Sequence, residues 1–197
     1  MLGCRMAKQV IVLAGPSGSG KNAVIQEITK QFKNCTRLVT ATTRMPRPGE
    51  VDGVDYHFMS QEKFDEEMLS GNIPEHRFVP SLNTSYGTYL PDLDGKIKQG
   101  KIVFAQVDIE GANLLKEKYG ATTIFIMPES LEQFRGRLRV RNPEWSEMEF
   151  NARMKITEDE IRIHSPQYDY RVINADGALQ ETVQQVLDIM KKEGYSI

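Results

Sequence analysis

The sequence predicts an α/β fold, a mostly parallel sheet with helices on both faces. Three observations predict it. An apolar run ends in a glycine-rich turn and continues into a helical pattern. Three further apolar runs follow, with helical patterns between them. One long irregular stretch interrupts that alternation. The 197 residues suit one domain with insertions and can bury a real core.

The first run is "QVIVLAG" (9–15), a short β-rich segment that reads as a buried strand. Past the glycines, Val24, Ile25, Ile28 and Phe32 recur at helical spacing. "KIVFAQVD" (101–108), "ATTIFIM" (121–127) and "YRVIN" (170–174) are the other buried strands. "GANLLKEKYG" (111–120) reads as a helix ending at a glycine cap. "SLEQFRGRLRVR" (130–141) opens with Ser130 and Gln133, a capping-box pair, and Ser146 with Glu149 forms another before a helical stretch toward His164. The last helix aligns Leu179, Val183, Val186, Leu187 and Met190 on one face. Residues 40–95 hold most of the prolines, many turn residues and several aromatics, and read as an inserted subdomain. Residues 141–153 are a smaller candidate lobe.

Bulk properties narrow the function. A net charge of −2 disfavours general attachment to nucleic acid or an anionic membrane, so neither partner is expected and any basic site is local. Cys4 and Cys35 are too few for a disulfide framework or a cysteine zinc site. No apolar run reaches membrane-spanning length. The opening "MLGCRMAKQ" is too short and polar for a secretory signal and reads as a frayed terminus, with Met6 an alternative start. The expected compartment is the cytoplasm. No pattern sets an oligomeric state.

The stretch "AGPSGSGKNAV" (14–24) carries the chemistry. Gly15, Gly20 and Lys21 meet the pattern G-x-x-x-x-G-K between a strand and a helix. Gly15, Ser17, Gly18, Ser19 and Gly20 let backbone N–H groups converge on an anion, and the helix start adds its positive end. Lys21 supplies charge for the outer phosphates of ATP. Asn22 stands where such loops carry a Ser or Thr hydroxyl for Mg²⁺. Its carbonyl is an acceptable oxygen for a hard cation, so a weak Mg²⁺ contact beside phosphates and waters is expected. An asparagine capping the helix start fits the same position.

"TATTRMPRPGEVDGVDYHF" (40–58) is the second signal. Arg44 and Arg47 on a stiff Pro-rich turn suit a phosphate group, and Tyr56 can add a hydroxyl. A solvated basic turn is the plainer alternative. Phosphate loop and this segment together resemble the guanylate kinase family, whose pattern TTRxPRxGExxGxDYxF is specific. The resemblance spans about Gln9 to Met190. It implies a P-loop nucleoside monophosphate kinase-like core (8–39, 96–136 and 154–197), a GMP-binding lobe (40–95) and a lid (137–153). It implies ATP and GMP as substrates, with Mg²⁺ accompanying ATP. Residue by residue, it assigns Arg44, Arg47, Tyr56 and Tyr86 to the GMP phosphate. Thr40, Glu75 and Thr88 would read guanine, and Asp108 would lie at a strand end beside both nucleotides. Arg137, Arg141 and Arg153 would surround the transferred group with Lys21 and Arg44.

The chemistry of those residues is consistent. Guanine presents adjacent N1–H and N2–H₂ donors to a carboxylate at Glu75, whereas adenine N1 is a bare acceptor. Phosphoryl transfer needs positioning and positive charge more than covalent help. Arg137 and Arg141 are four apart and share a helix face, while Arg135 and Arg139 read as a solvated face.

The chain departs from the family pattern at several places. "PEHRFVPSLNTSYGT" (74–88) keeps Glu75, Tyr86, Gly87 and Thr88, but His76 and Arg77 replace Trp-Ala and Ser85 replaces a tyrosine. Gln106 replaces the first of two acidic residues ending the core strand. Asn142-Pro143 follows Arg141 in place of glycine, and Ala175 follows Asn174 in place of aspartate. The expected activity is ATP-dependent phosphorylation of GMP or dGMP. The alternatives are a non-catalytic binding module of guanylate-kinase-like form and a related P-loop kinase for another phosphorylated small molecule. Trp145 is expected to pack in the lid, His76 to line the pocket or the surface, and Lys8 and Lys192 to be solvated.

Overall fold

The computed structural model describes residues 7–197; Cys4 and the alternative start Met6 lie outside them. The first apolar run forms β1 (Val10–Ala14), buried along its whole length. It pairs in parallel with β7 (Ile102–Ala105) on one side and β8 (Thr122–Pro128) on the other. β2 (Cys35–Arg37) lies outside β7, and β9 (Tyr170–Asn174) outside β8, giving the order β2-β7-β1-β8-β9. A parallel sheet must be covered on both faces, and successive side chains alternate between them. Ile11 and Leu13 therefore face one layer, α1 (Lys21–Gln31) and α7 (Leu179–Lys192), through Val24, Ile28, Val183 and Met190. Val10 and Val12 face the other, α3 (Leu90–Lys98) and α4 (Ile109–Tyr119), through Leu93 and Leu115. The predicted α/β class is the observed one.

The strand predicted over 101–108 stops at Ala105. Asp108 is the N-cap of α4 instead, its carboxylate accepting from the Gly111 N–H at 3.1 Å. Gly120 closes that helix in the left-handed conformation, as its position predicts.

The irregular region holds a second sheet in the order β4-β3-β6-β5. Its strands are β3 (Ala41–Thr42), β4 (His57–Phe58), β5 (His76–Val79) and β6 (Thr84–Gly87). α2 (Gln61–Leu69) lies beside it, and Ala41, Phe64 and Ile73 make its small core. Asp92 ties this sheet to the main one. It accepts from the Val39 N–H at 2.9 Å and from Lys96 at 2.6 Å, and lies 3.2 Å from His57 Nε2.

α5 (Leu131–Arg141) and α6 (Glu147–Asp159) form a hairpin with its own core of Phe134, Leu138, Phe150 and Met154, with Trp145 packed against it. The capping box at Ser146 and Glu149 is complete. The one at Ser130 is half made, because Gln133 Oε1 accepts from the Glu129 N–H instead. Arg139 is not merely solvated: it pairs with Glu147 at 2.5 Å and lies 3.7 Å above the Phe150 ring. Lys8 likewise pairs with Glu193 at 2.6 Å, and Lys192 sits 5.2 Å over the Tyr170 ring. α6 widens into a π-turn, Glu160–His164, before β9. No helix among the described residues is long and apolar enough to cross a membrane.

Candidate active site

The site forms where the C-terminal ends of the main-sheet strands meet the loops that follow, the usual place for a ligand in such sheets. The turn after β1 is tight. Gly15 and Gly20 have φ of 137° and 94°. A Cβ at Gly15 would lie 2.3 Å from the Ile126 carbonyl oxygen, and one at Gly20 would lie 2.2 Å from Asn174 Nδ2. Side chains are thus excluded by both conformation and space. Lys21 donates to the carbonyls of Gly15 (2.6 Å) and Pro16 (2.9 Å), folding back over the loop. Burial pushes its ammonium down to about 8; the Glu160 carboxylate acts against that, and Arg153 and Arg141 act with it. A cavity of about 550 Å³ above the loop is lined by Ser17, Lys21, Asn22, Gln106, Arg141 and Arg153, among others. Ser19, within the loop, is fully buried. Asn174 Nδ2 donates to its carbonyl at 2.8 Å, bracing the loop against β9.

Asn22 is not the helix cap; Gly20 holds that position. Asn22 Oδ1 instead accepts from Gln106 Nε2 at 2.7 Å. The two departures at the metal side are therefore one contact, a neutral amide pair. No group of three or more His, Cys, Asp or Glu among the described residues is placed to hold a metal ion.

The predicted lid arginines separate. Arg141 Nη1 lies 3.5 Å from Ser17 Oγ, and Arg153 lines the same cavity. Arg137 turns elsewhere, donating to Asp176 at 2.7 Å and to the Asn174 carbonyl at 3.0 Å.

In the second sheet, strand register gathers the predicted base readers. Gly87 of β6 pairs with Ala41 of β3 and with His76 of β5. Thr40, Thr88 and Glu75 are the next residues past that row, side by side. The Thr88 hydroxyl donates to Glu75 Oε1, and the Thr88 N–H donates to the Glu75 carbonyl at 3.3 Å. Burial raises the Glu75 pKa, Asp108 and Glu110 add to the rise, and the Thr88 hydrogen bond opposes it. The residues expected to hold a phosphate lie on the same sheet. The Arg44 guanidinium is 5.4 Å from the Tyr56 ring centre, and Tyr56 is 5.8 Å from Tyr86. Glu50 accepts from Arg44 at 2.8 Å and from the Arg47 N–H at 2.7 Å, organising the turn that presents both arginines.

Between the two sheets runs a cleft of about 350 Å³, lined by His76, Arg77, Asp108, Glu110, Glu160 and Tyr168, among others. Glu160, His164 and Tyr168 escaped sequence reasoning. They follow the lid helix, where "EDEIRIH" reads as a charged helix face, and no periodicity marks the π-turn. A larger hollow of about 830 Å³ beside Lys8, Tyr119 and Glu193 lies at the opposite strand ends.

The chain is similar to known proteins along most of its length. The family model described as Guanylate kinase matches residues 7–193. The guanylate kinase of Lactococcus lactis is 35% identical over 189 residues, covering 95% of this chain and 89% of that protein. That of Lactiplantibacillus plantarum is 37% identical over 196 residues, covering 98% and 92%. The crystal structure of guanylate kinase from Anaplasma phagocytophilum superposes with a TM-score of 0.67 at 28% identity, covering 98% of this chain and 89% of that one.

Proposed function

Because the chain belongs to the guanylate kinase family, we propose that it transfers the γ-phosphoryl group of ATP to GMP, giving GDP and ADP. The observation that carries this reading is that the cavity over the phosphate loop and the cleft beside the lobe share Gly15 as a wall. Donor and acceptor phosphates can therefore meet at that wall. A GMP phosphate oxygen attacks Pγ, and the bond from Pγ to the bridging β–γ oxygen breaks, leaving ADP. Lys21, Arg141 and Arg153 offset the charge spread over the moving group. Arg44, Arg47, Tyr56 and Tyr86 hold the acceptor phosphate. Glu75 takes the two guanine donors, flanked by Thr40 and Thr88, with Asp108 in the cleft between the nucleotides. Arg137 fixes the lid hairpin to the Asn174–Asp176 turn in this conformation. Lobe and lid enclosing the site exclude water from the activated phosphate. The cytoplasm, with its ATP and GMP pools, is the setting we propose.

Mg²⁺ fits this site through uncharged oxygens. The Asn22–Gln106 pair engages one amide oxygen and one amide nitrogen, leaving a second amide oxygen for the cation. When bound with ATP, the ion neutralises β- and γ-phosphate charge. Asn22→Ser combined with Gln106→Asp restores a hydroxyl and a carboxylate. It is expected to lower the half-saturating free Mg²⁺ by about tenfold, read from rate against free Mg²⁺ at fixed ATP. An unmoved midpoint would place the pair away from the metal.

The proposal is tested by ADP production from ATP with GMP, dGMP, AMP or UMP. GMP-dependent turnover is expected. Absence of turnover with every acceptor, in a folded protein, overturns it.

A further inference from the structure

Among the described residues, two line both the loop cavity and the acceptor cleft: Gly15 and Glu160. Gly15 contributes only backbone. Glu160 contributes a carboxylate at the junction where a phosphoryl group passes between the two spaces. Its charged companions on the loop side, Lys21, Arg141 and Arg153, are all cations. Arg153 is seven residues earlier, two helical turns and roughly 10 Å along the axis, on the same face of α6. A helical side chain leans toward the preceding turn, here toward Arg153. The π-turn that begins at Glu160 is a kind of helix irregularity found frequently at functional sites. Glu160 Oε2 is buried without a hydrogen-bond partner among the described residues. A buried carboxylate oxygen left this way is costly and has no evident role in packing. The charge nonetheless acts on Lys21, opposing the effect of burial on its ammonium.

We infer that Glu160 is a positioning residue for phosphoryl transfer, its carboxylate setting the balance of charge among Lys21, Arg141 and Arg153 at the junction of donor and acceptor sites. The inference rests on the kinase reading above. It has a signature that loss of structure does not share. A carboxylate among phosphate-binding cations weakens the resting grip on nucleotide phosphates while it keeps the cations placed for the moving group. Glu160→Gln keeps the shape and removes the charge. It is expected to tighten ADP binding about fivefold by calorimetry and to lower the KM for ATP, while kcat falls about 30-fold. A purely structural residue would, on removal, weaken affinity and rate together and lower Tm. Glu160→Asp keeps the charge one methylene shorter. It is expected to retain the parental ADP affinity and to lose about tenfold in kcat.

If Glu160→Gln turns over within twofold of the parent, or binds ADP no tighter, the role is overturned. If that variant does not fold, Glu160→Asp decides, and parental kcat there overturns the role. A parent protein that makes no ADP from ATP and GMP overturns the kinase reading itself, and this role with it.

Discussion

Lys21→Ala is expected to lower kcat by about a thousandfold, the scale of losing one preorganised charge at a transition state. The ammonium sits over the loop at 2.6 Å from the Gly15 carbonyl, inside the cavity that Arg141 and Arg153 complete. Its hydrogen-bond partners are backbone oxygens of the loop itself, so removing it leaves the strand, the turn and α1 intact. Tm should move little, because the glycine geometry and the Asn174 brace that shape the loop do not pass through the Lys21 side chain. Steady-state ADP production and a melting curve on the same preparation check both statements. A rate within a few-fold of the parent would remove Lys21 from the transferring group.

Glu75→Gln is expected to cost about 10²–10³ in kcat/KM for GMP and to collapse the preference for GMP over AMP. An amide accepts one guanine donor but turns its own NH₂ against the other. The Thr88 hydroxyl keeps its acceptor in the variant, so base reading is the part of the activity that changes. Assays with both acceptors measure the ratio; an unchanged ratio would show that Glu75 does not face the base.

The same residue makes a pH prediction. Burial, with Asp108 and Glu110, raises the Glu75 pKa in the folded protein. Guanine reading needs the ionised form, so the KM for GMP should rise with acid at a higher pH than an exposed glutamate would give. For stability, the folded state holds this proton more tightly than the unfolded chain does. The stabilising contribution of the protonated form is therefore fully present below the unfolded value and is lost as pH rises through the folded one. Glu75→Gln avoids that loss. Its Tm should exceed the parent's at pH 8, with the gap closing toward acid, while its activity is lower at both.

What could be read from the chain was local or strongly periodic. The phosphate loop is seven consecutive residues whose glycines answer a backbone requirement, so residue type alone identified it. The core strands are buried on both faces and read as unbroken apolar runs. The Ser146–Glu149 box marked its helix because a cap is made within one turn. The lobe strands did not show, because strands of two to four residues such as Ala41–Thr42 have too little pattern to count. The resemblance named Thr40, Glu75 and Thr88, but their common row is set by pairing across three strands.

The sequence by itself determined that this protein has a strand–glycine loop–helix unit for phosphates, an α/β core and a Pro-rich insertion carrying Arg44 and Arg47. Tertiary structure alone decided which side chains meet. Asn22 and Gln106 stand 84 residues apart, and only the pairing of parallel strands makes them one contact. Arg137 and Arg141 share a helix, yet one is drawn to Asp176 and the other to the loop. Glu160 follows Arg153 by two ordinary helical turns, yet only the packing of α6 against the phosphate loop and the second sheet brings it to the junction of the two cavities.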